Sequence, residues 1–316
     1  MPMPRRSLAI VGAGAVGATI AYACSIRGVA ERIALYDIDK AKVEAEMLDL
    51  NHGIQFTHPA IIDGSDDIEV LRDAAVVVIT AGAKQKPGQT RLELAGANAR
   101  ICQHLLPEIL KVAPEAVIMV VTNPVDVLTY VCLKTSGLPV HRVFGSGTTL
   151  DSSRFRFLIA RHLNVAVTNV HAYVCGEHGD SEVPLWSSAS IGAIPLRDYR
   201  RIGEPLLTEQ DKRQVFNNVR DAAQQIIAGK GATNYAIGLA AASILEAVLS
   251  DQNRVLPVST LLTDYRGISD VCLSVPCMVN AKGMEQPLDV PMDAAELEGL
   301  RRSADVIRSV IREVGF

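Results

Sequence analysis

The sequence predicts an α/β protein: a doubly wound parallel sheet followed by an α+β half. Three observations predict it. Short apolar runs at 8–11, 33–36, 74–81 and 117–122 lack alternation, the pattern of strands buried on both faces. Helical patterns at 38–54 and 92–112 lie between them, so the strands join by right-handed crossovers. The first run also ends on three glycines at fixed spacing, in Gly12-Ala13-Gly14-Ala15-Val16-Gly17.

That glycine turn has a physical reading. Gly12 permits the tight turn, Gly14 lets the main chain approach a pyrophosphate, and Gly17 lets the helix pack on the strand. The helix opening at Ala15 and Val16 offers unpaired N–H groups and a positive dipole end. Asp37 ends the second strand, twenty residues past Gly17, where an acid holds a ribose 2′-hydroxyl and repels a 2′-phosphate. Strand, glycine turn, helix, strand and acid together are the Rossmann fingerprint, with NAD favoured over NADP. Gly82, Ala83 and Asn123 follow the next two buried strands, at the carboxyl ends where such sheets bind ligands.

The polar segment 83–91, carrying Pro87 and Gly88, is either a loop over the cofactor cleft or a solvated connection. Asn123-Pro124 is a turn signal that admits a cis bond. Near residue 146 the character changes, dividing the chain into 1–145 and 146–316. A helix at 150–162 sets Asp151 and Arg154 on one face, which by itself reads as an exposed ion pair. His178 sits in a glycine-bracketed turn after a strand, without metal-ligand spacing around it, so no metal is expected. On position alone that histidine is either structural or catalytic. Thr208 with Asp211 resembles a capping box for a helix ending at Gly229. The small-residue run 233–249 predicts a buried helix, 255–262 and 271–279 predict antiparallel strands, and Asp293 starts a last helix with one apolar stripe.

Composition bounds the function. The chain has 316 residues, 48% of them hydrophobic and 21% charged, enough for a sizeable core. A net charge of −4 without a basic block argues against nucleic acid, and no apolar run is long enough for a membrane span. Six cysteines without C-x-x-C spacing suggest reduced, mostly buried thiols in a cytoplasm. Arg5-Arg6 before an apolar run imitates an export signal, but cleavage there would delete the glycine turn.

Five segments carry a closer likeness: GAGAVG (12–17), AGAKQKPGQTR (81–91), TNPVDVLTY (122–130), GSGTTLDSSRFRF (145–157) and GEHGDSEVPLWS (176–187). In this order and spacing the chain resembles the L-lactate/L-malate dehydrogenase family, and within it the bacterial lactate branch. The resemblance implies reversible hydride transfer between NADH and pyruvate, giving L-lactate and NAD+, as in glycolysis and fermentation. It implies that His178 is the acid–base histidine and Asp151 its carboxylate partner. It implies that Arg154 grips the substrate carboxylate, Arg91 polarises the reacting carbonyl, and Asn123 bonds the same oxygen. Thr233 and Ile237 match residues beside the substrate side chain and the nicotinamide ring. Gln85 occupies the loop position where malate enzymes carry arginine, and a neutral glutamine suits the methyl group of pyruvate. Arg156 and His171 match a basic pair that binds fructose 1,6-bisphosphate at a subunit interface, in a homotetramer.

The chemistry needs such a set independently. Reduction of a 2-oxo acid puts hydride on carbon and a proton on oxygen, and a histidine can supply that proton near neutral pH. A planar guanidinium is the best bidentate partner for a carboxylate. A second guanidinium on a closing loop stabilises developing oxyanion charge. A malate enzyme would have arginine at position 85, and a non-catalytic NAD-binding protein or a sensor would have no need of the His178, Asp151, Arg154 and Arg91 set.

Overall fold

Residues 6–83, 91–200 and 207–316 are described by the computed structural model. The first half runs β1 (Ser7–Val11), α1 (Ala15–Arg27), β2 (Arg32–Tyr36), α2 (Lys40–His52), β3 (Ile61–Ser65), β4 (Val76–Ile79), α3 (Arg91–Val112), β5 (Val117–Val120), α4 (Val125–Ser136) and β6 (Val143–Gly145). These six strands are parallel, in the order β3-β2-β1-β4-β5-β6. Every residue of β1, β4 and β5 is buried, as their unbroken apolar runs require. The strand order reverses between β1 and β4, and the chain leaving both strands opens the crevice there.

The second half begins with α5 (Thr149–Leu163). Short strands β7 (Val170–His171), β8 (Val174–Cys175), β9 (Val183–Pro184), β10 (Ser190–Ile191) and β11 (Ile194–Pro195) follow. Then come α6 (Glu209–Lys230), α7 (Tyr235–Leu249), β12 (Arg254–Leu262), β13 (Val271–Asn280), β14 (Gly283–Pro287) and α8 (Ala294–Glu313). Strands β12 and β13 are antiparallel, as their sequence predicts. β12 also pairs with β6 through Ser259 opposite Gly145, so one nine-stranded sheet continues across residue 145. That pairing sets β12 beside β6 at the edge of the parallel strands, with β13 and β14 outside it.

Two helix readings are corrected. α6 has the expected Thr208–Asp211 capping box, but it passes Gly229 and ends at Gly231. Gly231 takes the left-handed φ of +81° that stops a helix, and its N–H bonds the Ile227 carbonyl. α7 starts at Tyr235 and is buried on one face only, with Tyr235 and Leu239 exposed. Its small residues serve a close approach to α1: a Cβ on Gly238 would lie 2.5 Å from the Thr19 methyl. α8 packs as its stripe predicts, with Leu300, Ala304, Ile307 and Ile311 buried. The Asn123–Pro124 peptide is cis. All six cysteines are buried and unpaired. Among the described residues no helix is long and apolar enough to cross a membrane.

Candidate active site

A cleft of about 1600 Å³ lies along the carboxyl ends of the parallel strands. Gly12, Gly14, Ala15, Val16, Gly17, Asp37, Gly82, Ala83 and Asn123 line one part of it, and Arg154, His178, Thr233 and Ile237 line the other. Residues far apart in the chain therefore meet in one cavity. Gln85 lies outside the described residues, as does the side chain of Arg91, whose main chain opens α3.

The dinucleotide end fits NAD. Gly12 has φ +105°, and a Cβ there would lie 2.7 Å from the Ala81 nitrogen. A Cβ on Gly17 would lie 1.9 Å from the Gly12 carbonyl oxygen, so only glycine lets α1 sit this close to the turn. At Gly14 the nearest atom to such a Cβ is Lys42 Nζ at 3.8 Å, leaving that side of the turn open. Gly14 is the N-cap of α1 and provides no side-chain cap, so the first N–H groups remain available to a phosphate. Asp37 accepts the Ala13 N–H at 2.8 Å and Lys42 Nζ at 3.1 Å on one oxygen, and the Asp39 N–H at 3.1 Å on the other. Partial burial opposes its ionisation, yet these donors hold its carboxyl below the usual range. A carboxylate has about four lone-pair sites, so acceptor capacity remains for a ribose hydroxyl.

At the other end stands a hydrogen-bonded trio built around buried Asp151. His178 Nδ1 lies 2.5 Å from Asp151 Oδ2, and Arg154 donates from Nη1 to Asp151 Oδ1 at 2.8 Å. Asp151 and Arg154 share a face of α5, as their spacing predicts, but the pair is not an exposed one. The Asp151 side chain is 4% exposed and that of Arg154 13%. The physical reason is tertiary: the turn carrying His178 folds over α5 and takes the carboxylate out of water. Edge-to-face contact between Phe155 of α5 and Trp186, with centroids 4.6 Å apart, helps hold that turn on the helix.

Electrostatics follow from this burial. Desolvation pushes the imidazole of His178 down, but Asp151, with help from Asp126 and Glu182, outweighs it and raises the pKa to about 9. Asp151 is itself opposed by burial, but His178 and Arg154 hold its carboxyl below the ordinary value. Because Nδ1 is committed to Asp151, Nε2 is the ring atom left to exchange a proton with a ligand in the cleft.

Several contributing residues have no counterpart in the sequence reading. Asn98, 1% exposed on α3, accepts the Ala83 N–H at 2.7 Å and donates to the Asn123 carbonyl at 2.8 Å. It ties together the ends of β4 and β5. The available signal was an amide within the buried stripe Ala95, Ala99, Cys102 and Leu106. Thr80 donates to the Gly12 carbonyl at 2.8 Å and braces the glycine turn. Buried Asp126 accepts the His178 main-chain N–H at 2.7 Å. Glu182 is 6% exposed, and its Oε1 has no hydrogen-bond partner among the described residues. Burial and nearby Asp151 push its carboxyl up to about 8, against the pull of His178, Arg154 and Arg220.

Arg156 and His171 lie away from the cleft. Arg156 donates from Nε to the Ala172 carbonyl at 2.8 Å and stacks 4.9 Å from the Tyr173 ring centroid, while His171 is exposed on β7. The Ala172 bond puts the two basic residues on adjoining segments. Among the described residues no group of three or more His, Cys, Asp or Glu side chains could hold a metal ion.

Comparison with known proteins places this architecture. Residues 6–145 match the lactate/malate dehydrogenase NAD binding domain, and residues 148–315 match the alpha/beta C-terminal domain of the same family. An L-lactate dehydrogenase of Bifidobacterium animalis subsp. lactis is 54% identical over 316 residues, covering 100% of this chain and 99% of the relative. One from Thermus aquaticus is 44% identical, covering 97% of this chain and 99% of its own. Among solved structures, a lactate dehydrogenase from a Medee basin deep-sea metagenome library superposes with a TM-score of 0.95 at 38% identity, covering 99% of this chain and 100% of that one. The minor L-lactate dehydrogenase of Enterococcus mundtii does so at 0.93 and 38% identity, covering 97% and 98%. The glycine cradle, the His178–Asp151–Arg154 trio and the match across both halves agree: the chain belongs to the lactate/malate dehydrogenase family, with NAD as its cofactor.

Proposed function

We propose that this protein is an NAD-dependent L-lactate dehydrogenase, interconverting pyruvate and L-lactate. The observation that carries the reading is the buried Asp151 bridging His178 and Arg154 in the wall of the dinucleotide cleft. When bound, the nicotinamide supplies or accepts the hydride. Arg154 pairs the substrate carboxylate, His178 gives a proton from Nε2 to the keto oxygen, and Asn123 and Arg91 hold that oxygen as charge develops. Thr233 and Ile237 flank the substrate and the nicotinamide ring. Residues 1–145 form the NAD-binding unit and 146–316 carry the histidine and Arg154.

The direct test is NADH oxidation with pyruvate and with oxaloacetate. Pyruvate is expected to give the far larger kcat/KM, because neutral Gln85 cannot pair a second carboxylate. Gln85→Arg is expected to reverse that preference by at least tenfold, and no gain with oxaloacetate would remove Gln85 from the substrate pocket. The pH dependence has a defined sign. Pyruvate reduction needs the imidazolium, so kcat/KM is expected to hold through neutral pH and fall as pH rises through about 9. Lactate oxidation needs the neutral ring and is expected to rise over the same interval. Parallel profiles in the two directions would reject His178 as the proton carrier.

The reading extends to a cytoplasmic homotetramer activated by fructose 1,6-bisphosphate. Its support is the basic pair Arg156 and His171 on adjoining segments outside the cleft. A bisphosphate joining two subunits through such pairs would stabilise the active assembly by linkage. Adding the bisphosphate to the pyruvate assay tests this, with a lower half-saturation expected.

A further inference from the structure

The turn that carries His178 is held by two carboxylates, one of which has no part in the reaction as described. Asp151 takes the imidazole side chain. Asp126, in the first turn of α4 and 1% exposed, takes the main chain of the same residue: its Oδ2 accepts the His178 N–H at 2.7 Å. Its Oδ1 accepts the Ser259 hydroxyl of β12 at 2.6 Å and the Ser274 hydroxyl of β13 at 3.4 Å. Ser274 in turn exchanges both main-chain hydrogen bonds with Gly176, at 2.8 and 2.9 Å. Residues 176 and 178 are thus pinned from one buried polar cluster spanning α4, β12 and β13. A buried carboxylate needs several donors to be tolerated, and here one of them is the main chain of the histidine.

We propose that Asp126 is a positioning residue for the acid–base step: it anchors the main chain at His178, and its negative charge acts with that of Asp151 to favour the imidazolium. This rests on the dehydrogenase reading above. The charged and titratable groups facing His178 are Asp151 from α5, Asp126 from α4 and Glu182 from its own turn. Those facing Asp126 are His178 and Glu177 from the turn and Cys272 from β13. Burial pushes the Asp126 carboxyl up to about 6, against the pull of Ser259 and His178, so it is ionised where His178 works.

The test is a pH titration of the full chain carrying 13C-labelled histidine, with the His178 resonance assigned through His178→Gln. Asp126→Asn keeps the shape: its carbonyl can accept the His178 N–H and its amide can donate to Ser259, while the charge is lost. The His178 midpoint is expected to fall by about one pH unit, the usual effect of losing one nearby charge. The alkaline limb of kcat/KM for pyruvate is expected to move with it, while NADH binding followed by fluorescence stays within twofold. A second measurement needs no variant: the wild-type His178 resonance is expected to inflect again near pH 6, as Asp126 takes up a proton. A His178 titration in Asp126→Asn that superposes on wild type, or a wild-type resonance with no second inflection anywhere on the acid side of neutrality, would overturn the proposal. Absence of wild-type turnover with pyruvate would instead reject the dehydrogenase reading, and the resonance titration would still decide Asp126.

Discussion

Replacing Arg154 with lysine is expected to lower kcat/KM for pyruvate about a thousandfold, roughly 4 kcal/mol at 1.4 kcal/mol per factor of ten. Most of the loss falls in KM. The guanidinium lines the cleft, and one of its N–H groups is spent on Asp151 at 2.8 Å. The remaining donors of a planar fork can still meet both oxygens of a substrate carboxylate. A lysine keeps the charge but presents a compact ammonium, so it can serve Asp151 or the substrate and cannot match either with the same geometry. The side chain is only 13% exposed, so water does not make up the lost bonds. Steady-state kinetics separates the outcomes: a KM for pyruvate unchanged in Arg154→Lys would take the substrate carboxylate away from this arginine.

Asp151→Asn is expected to lower pyruvate reduction at pH 7.5 by about a hundredfold to a thousandfold, with the loss carried mainly by kcat. In the wild-type site burial alone would push the imidazole of His178 down, and the Asp151 charge is the largest influence in the other direction. With that charge gone, the ring loses the environment that keeps it protonated at pH 7.5. An asparagine can also donate its amide N–H to Nδ1, which blocks protonation there and leaves a neutral ring whose Nε2–H is too weak an acid for the keto oxygen. The pH profile is the check. The alkaline limb, expected near pH 9 in the wild type, should move to lower pH in the variant. A limb that stays in place would mean that the hydrogen bond at 2.5 Å orients the ring without setting its charge.

Both variants act on a trio whose parts are visible in the sequence at different depths. The parallel strands are legible because burial on both faces demands unbroken apolar runs, and Val76–Ile79 and Val117–Val120 satisfy that demand with their own residues. The glycine turn is legible for a similar reason: Gly17 is required by its close approach to the Gly12 carbonyl on the same turn, and Gly12 by its own positive φ. The capping box at Thr208 is local too, and its bonds form as the spacing predicts; the last helix starts after Asp293 as expected, where the structure adds a second box with Glu296.

The nature of the Asp151–Arg154 pair was not legible. Spacing of three on a helix states that the side chains are neighbours, but whether water reaches them depends on a turn twenty-seven residues away in sequence from Asp151 to His178. The same limit hid Asp126, whose partners Ser259 and Ser274 come from strands more than a hundred residues onward. It also hid the extension of the sheet past residue 145, which depends on an antiparallel pairing of Ser259 with Gly145.

What the sequence determined by itself is the set of elements and the chemical types available to them, because periodicity, capping and glycine conformation act over short stretches of chain. The tertiary structure alone decided which of those groups are dry, which charges face one another and which backbone is clamped. Desolvation and Coulomb energy depend on separation in space, and for His178, Asp151, Arg154 and Asp126 that separation exists only once α4, α5, the turn at 176–187 and the strands β12 and β13 have come together.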